Sequence, residues 1–341
     1  GLFVPLVSYR DETYFECLKA LPARTNLLFK DGVVSLSKYW DIDPSRRFHG
    51  SFEDKKRRFL ELFRDSVKLH MRSDVEIGGG LSGGLDSSSI ASVIGKDFGG
   101  RRYRAITVYY EDKARRMDER SWARVVTAAF PNIDPIYCSP SDDEVRSSLD
   151  QMMWLHEVPI RSTSAVSYYF LMKLAAQAGL KVMLEGHGPG GCFADSSWSF
   201  EKLVAGYLRK LRFIKAFKTL QASPRSIGRR NLAHRSVRAA VRGERQLYAA
   251  EYLGRCSSLG FDGDLVFELR KVGGSTLKQH LYHRLFLTVL PSILHNVDRM
   301  SMAFSIESGL PFLDHRLVEF AFSLQDEDHL FRGQTKYILR A

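Results

Sequence analysis

Cysteine is scarce and dispersed: Cys17, Cys138, Cys192 and Cys256 are the only four in 341 residues, and none forms a C-x-x-C pair. That excludes a disulfide scaffold, a paired-cysteine zinc site and a thioredoxin-type redox pair. Proline is also sparse, at 11 residues, and there is no internal repeat or low-complexity tract, so collagen-like and disordered chains drop out. No apolar run approaches the roughly 18 to 20 residues of a membrane-spanning helix. The opening GLFVPLVSYRDE lacks the basic stretch, apolar core and cleavage site of a secretory leader. The expectation is a soluble, globular, cytoplasmic protein with no membrane partner. Its length and 44% hydrophobic content allow two or three domains, each with its own core.

Acidic residues are missing from one place. Between Glu201 and Ala250 there are 13 Lys and Arg against 2 acids, whereas the whole chain carries 50 against 39. The remainder is therefore neutral, at 37 against 37, and the net charge of +11 is local. Within this stretch Val204, Leu208, Leu211, Ile214, Phe217 and Leu220 recur every three or four residues, which predicts one amphipathic helix with a cationic outer face. Such a face docks nucleic acid, an anionic surface or an acidic partner, or is simply solvated. No aromatic-rich recognition module accompanies it, so nucleic acid is not the expected partner.

Residues 1 to 42 read as short and β-rich, with TNLLFKD and VVSLSKYWDI forming a hairpin around Lys30, Asp31 and Gly32. A lone hairpin is not an independent domain; it is a cap on the main body or the tail of another domain. From Ser51 the pattern alternates. FEDKKRRFLELFRDSVKLHM reads as a helix, DVEIGGGL as a strand, SSSIASVIGKDF as a helix, YRAITVYY as a strand and ERSWARVVTAAF as a helix. IDPIYCS is a strand, VRSSLDQMMWLHEV and TSAVSYYFLMKLAAQAG are helices, the latter stopped by Gly179, and LKVMLEG is a strand. This alternation predicts an α/β fold, a parallel sheet with helices on both faces. Ligands in such sheets bind beyond the carboxyl ends of the strands, so the loops after Gly80, Tyr110 and Glu185 matter most. After Gly191 no further strand is expected, and from about Ser199 the chain reads as a helical subdomain.

The richest of these loops is Leu81-Ser82-Gly83-Gly84-Leu85-Asp86-Ser87-Ser88. Adjacent glycines let backbone N–H groups approach an anion, and the N-terminus of the following helix adds donors and positive dipole. Ser82, Ser87 and Ser88 supply hydroxyl donors, and Asp86 can hold Mg²⁺ against phosphate oxygens. Together they describe a pyrophosphate cradle. It is neither a Walker loop, which needs Gly-Lys-Ser/Thr, nor a dinucleotide G-x-G-x-x-G. The plain alternative is a Gly-rich turn with a polar cap, which does not account for the full string.

SGGLDSS resembles the loop of N-type ATP pyrophosphatases, which cleave ATP between the α and β phosphates. DRMSMAFSIESGLPFLDHRLVEFAFSL, from Asp298 to Leu324, is similar to the helical region of glutamine-dependent asparagine synthetases, and Gly333 to Arg340 (GQTKYILR) to that family's final active-site helix. The resemblance covers roughly residues 13 to 341. It implies an adenine nucleotide α-hydrolase-like fold in which Leu81 to Ser88 bind ATP phosphates, Val108 contacts adenine, and Glu185 and Gly186 lie against the nucleotide. It further implies Asp86 as the Mg²⁺ ligand and Lys336 over the phosphates, where an ammonium would stabilise developing charge. Read without the resemblance, Lys336 is a surface lysine near a helix end.

Gly1 to Ile42, especially LPARTNLLFKDG and Tyr39-Trp40-Asp41, is similar to the end of the family's glutaminase domain. The expected division is residues 1–50 as a remnant of that domain and 51–341 as the ATP pyrophosphatase domain, helical from about 199. The family's glutaminase cysteine is that domain's first residue, so this chain is not expected to hydrolyse glutamine by itself. A glutaminase domain elsewhere would supply ammonia. The chain also stops soon after Lys336, where the family continues, so a fragment is expected; a homodimer is compatible with the sequence.

Two departures stand out. Where the family reads approximately G-E-G-x-D-E, the chain has Gly186-His187-Gly188-Pro189-Gly190-Gly191. By resemblance this exchanges the Glu that handles the ammonia proton for His187 and the Mg²⁺-binding Asp for Gly190. Neutral imidazole can accept an amine proton at pH 7, so His187 is a candidate catalytic base, or else a residue of a weakened site. One carboxylate can still hold Mg²⁺, with lower affinity. Gly309 replaces the usual Arg of S-x-E-x-R-x-P-F-L-D, removing a cation expected near the subdomain interface.

The leading expectation is an ATP-dependent, AMP-forming amide ligase acting on a small carboxylate, aspartate in the family, with ammonia or an amine as acceptor. Relatives that close β-lactam or lasso-peptide macrolactam rings make a specialised substrate the runner-up. A tRNA-modifying pyrophosphatase shares the loop but lacks the DRMSM and PFLDHRL segments. A non-catalytic nucleotide-binding scaffold is the remaining alternative, because of Gly190 and Gly191.

Overall fold

The computed structural model describes residues 13–110, 118–160, 162–224, 228–248 and 272–341. Cys256, the loop after Tyr110 and part of the basic segment lie outside the described residues. Strands β1 (Thr25–Lys30) and β2 (Val33–Lys38) form the expected antiparallel hairpin. Asp31 and Gly32 connect them with φ of 52° and 77°, the backbone of a type I′ turn.

Helix α1 (Phe52–His70) carries Glu53 and Asp54 in its first turn and Lys68 and His70 in its last, matching its dipole at both ends. Phe59, Leu62, Phe63, Ser66 and Val67 make its buried face, spaced as an amphipathic helix requires. The predicted alternation follows: β3 (Ile77–Gly80), α2 (Leu85–Asp97), β4 (Tyr103–Val108), α3 (Arg120–Ala129), β5 (Ile133–Cys138), α4 (Asp142–His156), α5 (Ser164–Gln177) and β6 (Val182–Leu184). Ser141 opens α4 with a reciprocal capping box to Glu144. Gly179 ends α5 at φ 78°.

The remaining elements are α6 (Pro189–Cys192), α7 (Ser197–Arg209), α8 (Phe213–Ala222), α9 (Arg229–Tyr248), α10 (Thr276–His283) and α11 (Leu290–Met302). Strand β7 (Glu307–Gly309), α12 (His315–Ser323), α13 (Asp326–His329) and α14 (Tyr337–Arg340) complete the chain. Two compact units result. The sheet unit comprises Arg57–Pro189 and Ile293–Leu317, and the helix-rich unit comprises Gly1–Lys56, Gly190–Ser292 and Val318–Ala341.

The sheet has the order β5-β4-β3-β6-β7, with every pairing parallel. Tyr169, Phe170, Met172 and Ala175 of α5 join Ile106, Met183, Val297, Met300 and Ile306 in its main core. Each large apolar side chain buried in this way contributes roughly 1.5 to 3 kcal/mol. A second cluster stacks Phe63 on Phe312, with ring centroids 4.5 Å apart.

Two expectations are corrected. A strand does follow Gly191: Glu307–Gly309 adds β7 beside β6. Its three residues are too short to interrupt the helical apolar pattern around them. The single amphipathic helix over 204–220 is instead α7 and α8, broken at Lys210–Arg212 with Leu211 at φ 54°. The break resets the helical phase, so Leu211 and Ile214 are 74% and 73% exposed while Ala216 is buried.

Candidate active site

Strand β3 has β4 and then β5 on one side and β6 on the other. The gap beyond the carboxyl ends of β3 and β6 is therefore the topological switch point, the position where such sheets bind ligands. The loop Leu81 to Ser88 follows β3, Val108 ends β4 one strand away, and Glu185 to Gly188 follow β6.

Leu81 is fixed on both sides. Its N–H donates to the Ile106 carbonyl at 2.8 Å, and its carbonyl accepts from Thr107 Oγ1 at 2.6 Å. Gly83 has φ 73°, and a Cβ there would stand 2.5 Å from Trp122 Cβ, so both conformation and space require glycine. The Gly84 N–H donates to Ser82 Oγ at 3.2 Å, and Ser82 and Ser87 hydroxyls lie 3.2 Å apart. Gly84 starts α2 without a side-chain cap. The loop thus brings serine hydroxyls and a helix N-terminus together as donors suited to an anion, with the half-buried carboxylate of Asp86 beside them.

The segment after β6 is tied to this loop. A Cβ on Gly186 would lie 2.8 Å from Ser87 N and 3.2 Å from Asp86 Cβ, so only a bare backbone approaches the first turn of α2 so closely. Glu185 points into the sheet. Its N–H donates to the Gly309 carbonyl at 2.9 Å, and its side chain takes the space a Cβ on Gly80 would need, with Oε2 at 3.0 Å. Gly79 is likewise bare opposite Tyr103, whose hydroxyl would be 1.8 Å from a Cβ there. Glu185 is 4% exposed, and Oε1 has no hydrogen-bond partner among the described residues. Burial pushes its pKa up to about 8, against a hydrogen bond from Gly80, so the carboxyl is largely neutral at pH 7. Burial and the nearby Glu185 raise the Tyr103 and Tyr168 hydroxyls.

His187 is partly covered and packs edge-on to Tyr168, with ring centroids 5.8 Å apart. Burial lowers its pKa, which keeps the imidazole neutral at pH 7 and able to accept a proton. Tyr168 also shares a hydrogen bond with Ser308 at 3.2 Å. A side chain at Gly309 would meet Leu184 Cδ2 at 2.7 Å and His70 Cδ2 at 2.9 Å, so an arginine there would not fit without rearrangement.

Lys336 belongs to the helix-rich unit. It does not lie within a helix as the sequence implies. It precedes α14 with φ 51°, and its N–H donates to the Ala194 carbonyl at 3.1 Å. A lysine held in this left-handed conformation is strained. The same unit contains Asp195, which sequence reasoning missed. Its Oδ2 would be 2.3 Å from a Cβ on Gly190, and Arg284 pairs with its Oδ1 at 3.0 Å. A carboxylate therefore fills the space beside Gly190 from five residues further on; no spacing rule announces this. The Gly78-Gly79-Gly80 run did offer a signal for Glu185 and Tyr103, since bare strand positions mark close approach.

Magnesium requires one or two carboxylates plus phosphate oxygens and water. Asp86 fits that demand as one ligand, and no group of three or more His, Cys, Asp or Glu is poised for a metal among the described residues. No described helix is long and apolar enough to cross a membrane.

The family model for asparagine synthase matches residues 58–341. Asparagine synthetase [glutamine-hydrolyzing] 1 of Bacillus subtilis is 28% identical over 81% of this chain and 45% of its own length. Asparagine synthetase [glutamine-hydrolyzing] 3 of the same organism is 24% identical over 94% and 50%. Amidase chyE of Penicillium rubens is 24% identical over 89% and 52%. The chain thus spans about half the length of these relatives, and it belongs to the asparagine synthase family.

Proposed function

We propose that this chain is the synthetase portion of an ATP-dependent, amide-forming ligase. The observation that carries the reading is the SGGLDSS loop at the switch point, with Gly186 against its helix, in a chain of this family. In this reading Leu81 to Ser88 hold the phosphates, Val108 and Gly186 flank the adenosine, and Lys336 stabilises phosphate charge. Asp86 would hold Mg²⁺, which when bound neutralises charge on the phosphates. A substrate carboxylate attacks the α-phosphate, forming an acyl-adenylate and releasing pyrophosphate. Ammonia or an amine then attacks the acyl carbon, AMP leaves, and neutral His187 takes the proton.

Residues 1–50 are assigned to the end of a glutaminase-like domain and 51–341 to the synthetase domain. Leu27, Phe29, Val34 and Leu36 share one face of the hairpin and are all more than half exposed, which favours coverage by such a domain, the source of ammonia. The setting is cytoplasmic. A specialised carboxylate in place of aspartate is the second reading, favoured by His187 and by a neutral acid at Glu185.

The test is carboxylate-dependent exchange of pyrophosphate into ATP, screened over aspartate and other acids, with Asp86→Ala as control. Exchange with at least one acid, lost in the control, is expected. ATP binding without exchange for any acid would replace the ligase with a nucleotide-binding scaffold.

A further inference from the structure

Part of the basic segment converges on a cavity that the nucleotide site does not use. Within the helix-rich unit, Lys210, Arg212 and Lys215 line a cavity of about 300 Å³ together with Arg47 and Lys278. Its acids are Asp326 and Glu327, and both are already engaged. Ser275 Oγ donates to Asp326 at 2.6 Å, while Lys215 Nζ and the Tyr207 hydroxyl donate to Glu327 at 2.7 and 2.9 Å. Five cations against two acids leave an excess of three positive charges around one space.

Lys278 makes the excess costly. It is 1% exposed, and its ammonium donates to the Phe322 carbonyl, while an ammonium has three N–H donors. Burial and the charge of Arg47 hold its pKa down to about 8. Arg47 spends one nitrogen on the Pro44 and Arg46 carbonyls. Like charges turned toward one partly enclosed space disfavour each other unless an anion lies between them.

We propose that this cavity is a binding site for a phosphate-type polyanion, separate from the SGGLDSS loop. A monocarboxylate would leave most of the excess uncompensated. A phosphate monoester or pyrophosphate matches it, and its several oxygens suit the forked donors of Arg and the point charges of Lys. The site does not depend on the ligase reading.

The test measures inorganic pyrophosphate and inorganic phosphate binding to the full chain by calorimetry with the nucleotide loop saturated by a non-hydrolysable ATP analogue. Lys210→Glu/Arg212→Glu replaces two exposed cavity residues, and Lys218→Glu replaces an exposed cation of α8 that does not line the cavity. Saturable binding that falls at least tenfold in the double variant and less than threefold in Lys218→Glu is expected, with circular dichroism unchanged. Pyrophosphate binding much tighter than phosphate supports a diphosphate-bearing occupant; comparable binding supports an occupant with a single phosphate group. No binding once the loop is saturated, or equal losses in both charge variants, overturns the site.

Discussion

The two strand ends that meet at the switch point are built differently. Beyond β3, Leu81 to Ser88 is a backbone device: two glycines, a capless helix start and three short hydroxyls. Beyond β6, Glu185 to Gly191 is a side-chain device, with a buried acid, a neutral imidazole and glycines where the family's acids are expected. Anion binding needs N–H groups and a dipole, which many sequences supply in one geometry. Proton handling needs particular groups with tuned pKa values. Under the proposed function, nucleotide capture falls to one end and substrate-specific chemistry to the other.

The largest effect should come from where the two ends interlock. Gly79→Leu would force a Cβ to 1.8 Å from the Tyr103 hydroxyl and 2.4 Å from the Leu184 carbonyl, and should cost more than about 4 kcal/mol in denaturant unfolding. Stability within 1 kcal/mol of wild type would mean that β3 and β6 are less tightly coupled than described.

Glu185→Gln comes next and is read against pH. The folded pKa of about 8 lies above the ordinary glutamate value of 4.5, so the folded state holds the extra proton between those values. The wild type should therefore lose stability as pH rises from about 5 to 9, by roughly 4 kcal/mol at most. In Glu185→Gln that slope should vanish, as measured by melting temperature across the range. An unchanged slope would show that Glu185 is not the group responsible.

His187→Ala separates the two ends functionally. ATP–pyrophosphate exchange should persist while amide formation falls about 10²- to 10³-fold; equal loss of both would assign His187 to nucleotide binding instead. Smallest is Ser82→Ala, which removes one hydroxyl from the loop and should weaken nucleotide binding by about 1 kcal/mol, a few-fold in Kd by titration. A hundredfold loss would show that the loop relies on side chains after all.

Much of the fold was legible in the sequence. Periodicity and apolar runs between Gly, Pro or polar stops placed β1 to β6 and α1 to α5; β6 is only three residues long but lies in the apolar run LKVMLEG. β7 was not legible, since Glu307-Ser308-Gly309 has neither a period nor an apolar run. The α7–α8 break at Leu211 was also invisible, because the apolar spacing continues through it while the backbone does not. In the site, SGGLDSS declared itself through composition. Asp195 beside Gly190 could not, for the space it fills exists only once α6 has turned the chain. The resemblance sets Glu185 against the nucleotide; only the bare Gly80 across the register shows where its carboxyl goes.

The two rims of the parallel sheet carry one more consequence. β5, at one margin, contains Pro135, which cannot donate to a ladder. β7, at the other, is three residues long. Neither rim offers a foreign strand a continuous row of hydrogen-bonding groups, so the sheet is closed to growth by strand addition without being closed into a barrel. The apolar interior of the five-stranded sheet therefore sits behind two margins that, among the described residues, give β-aggregation no long row to start from.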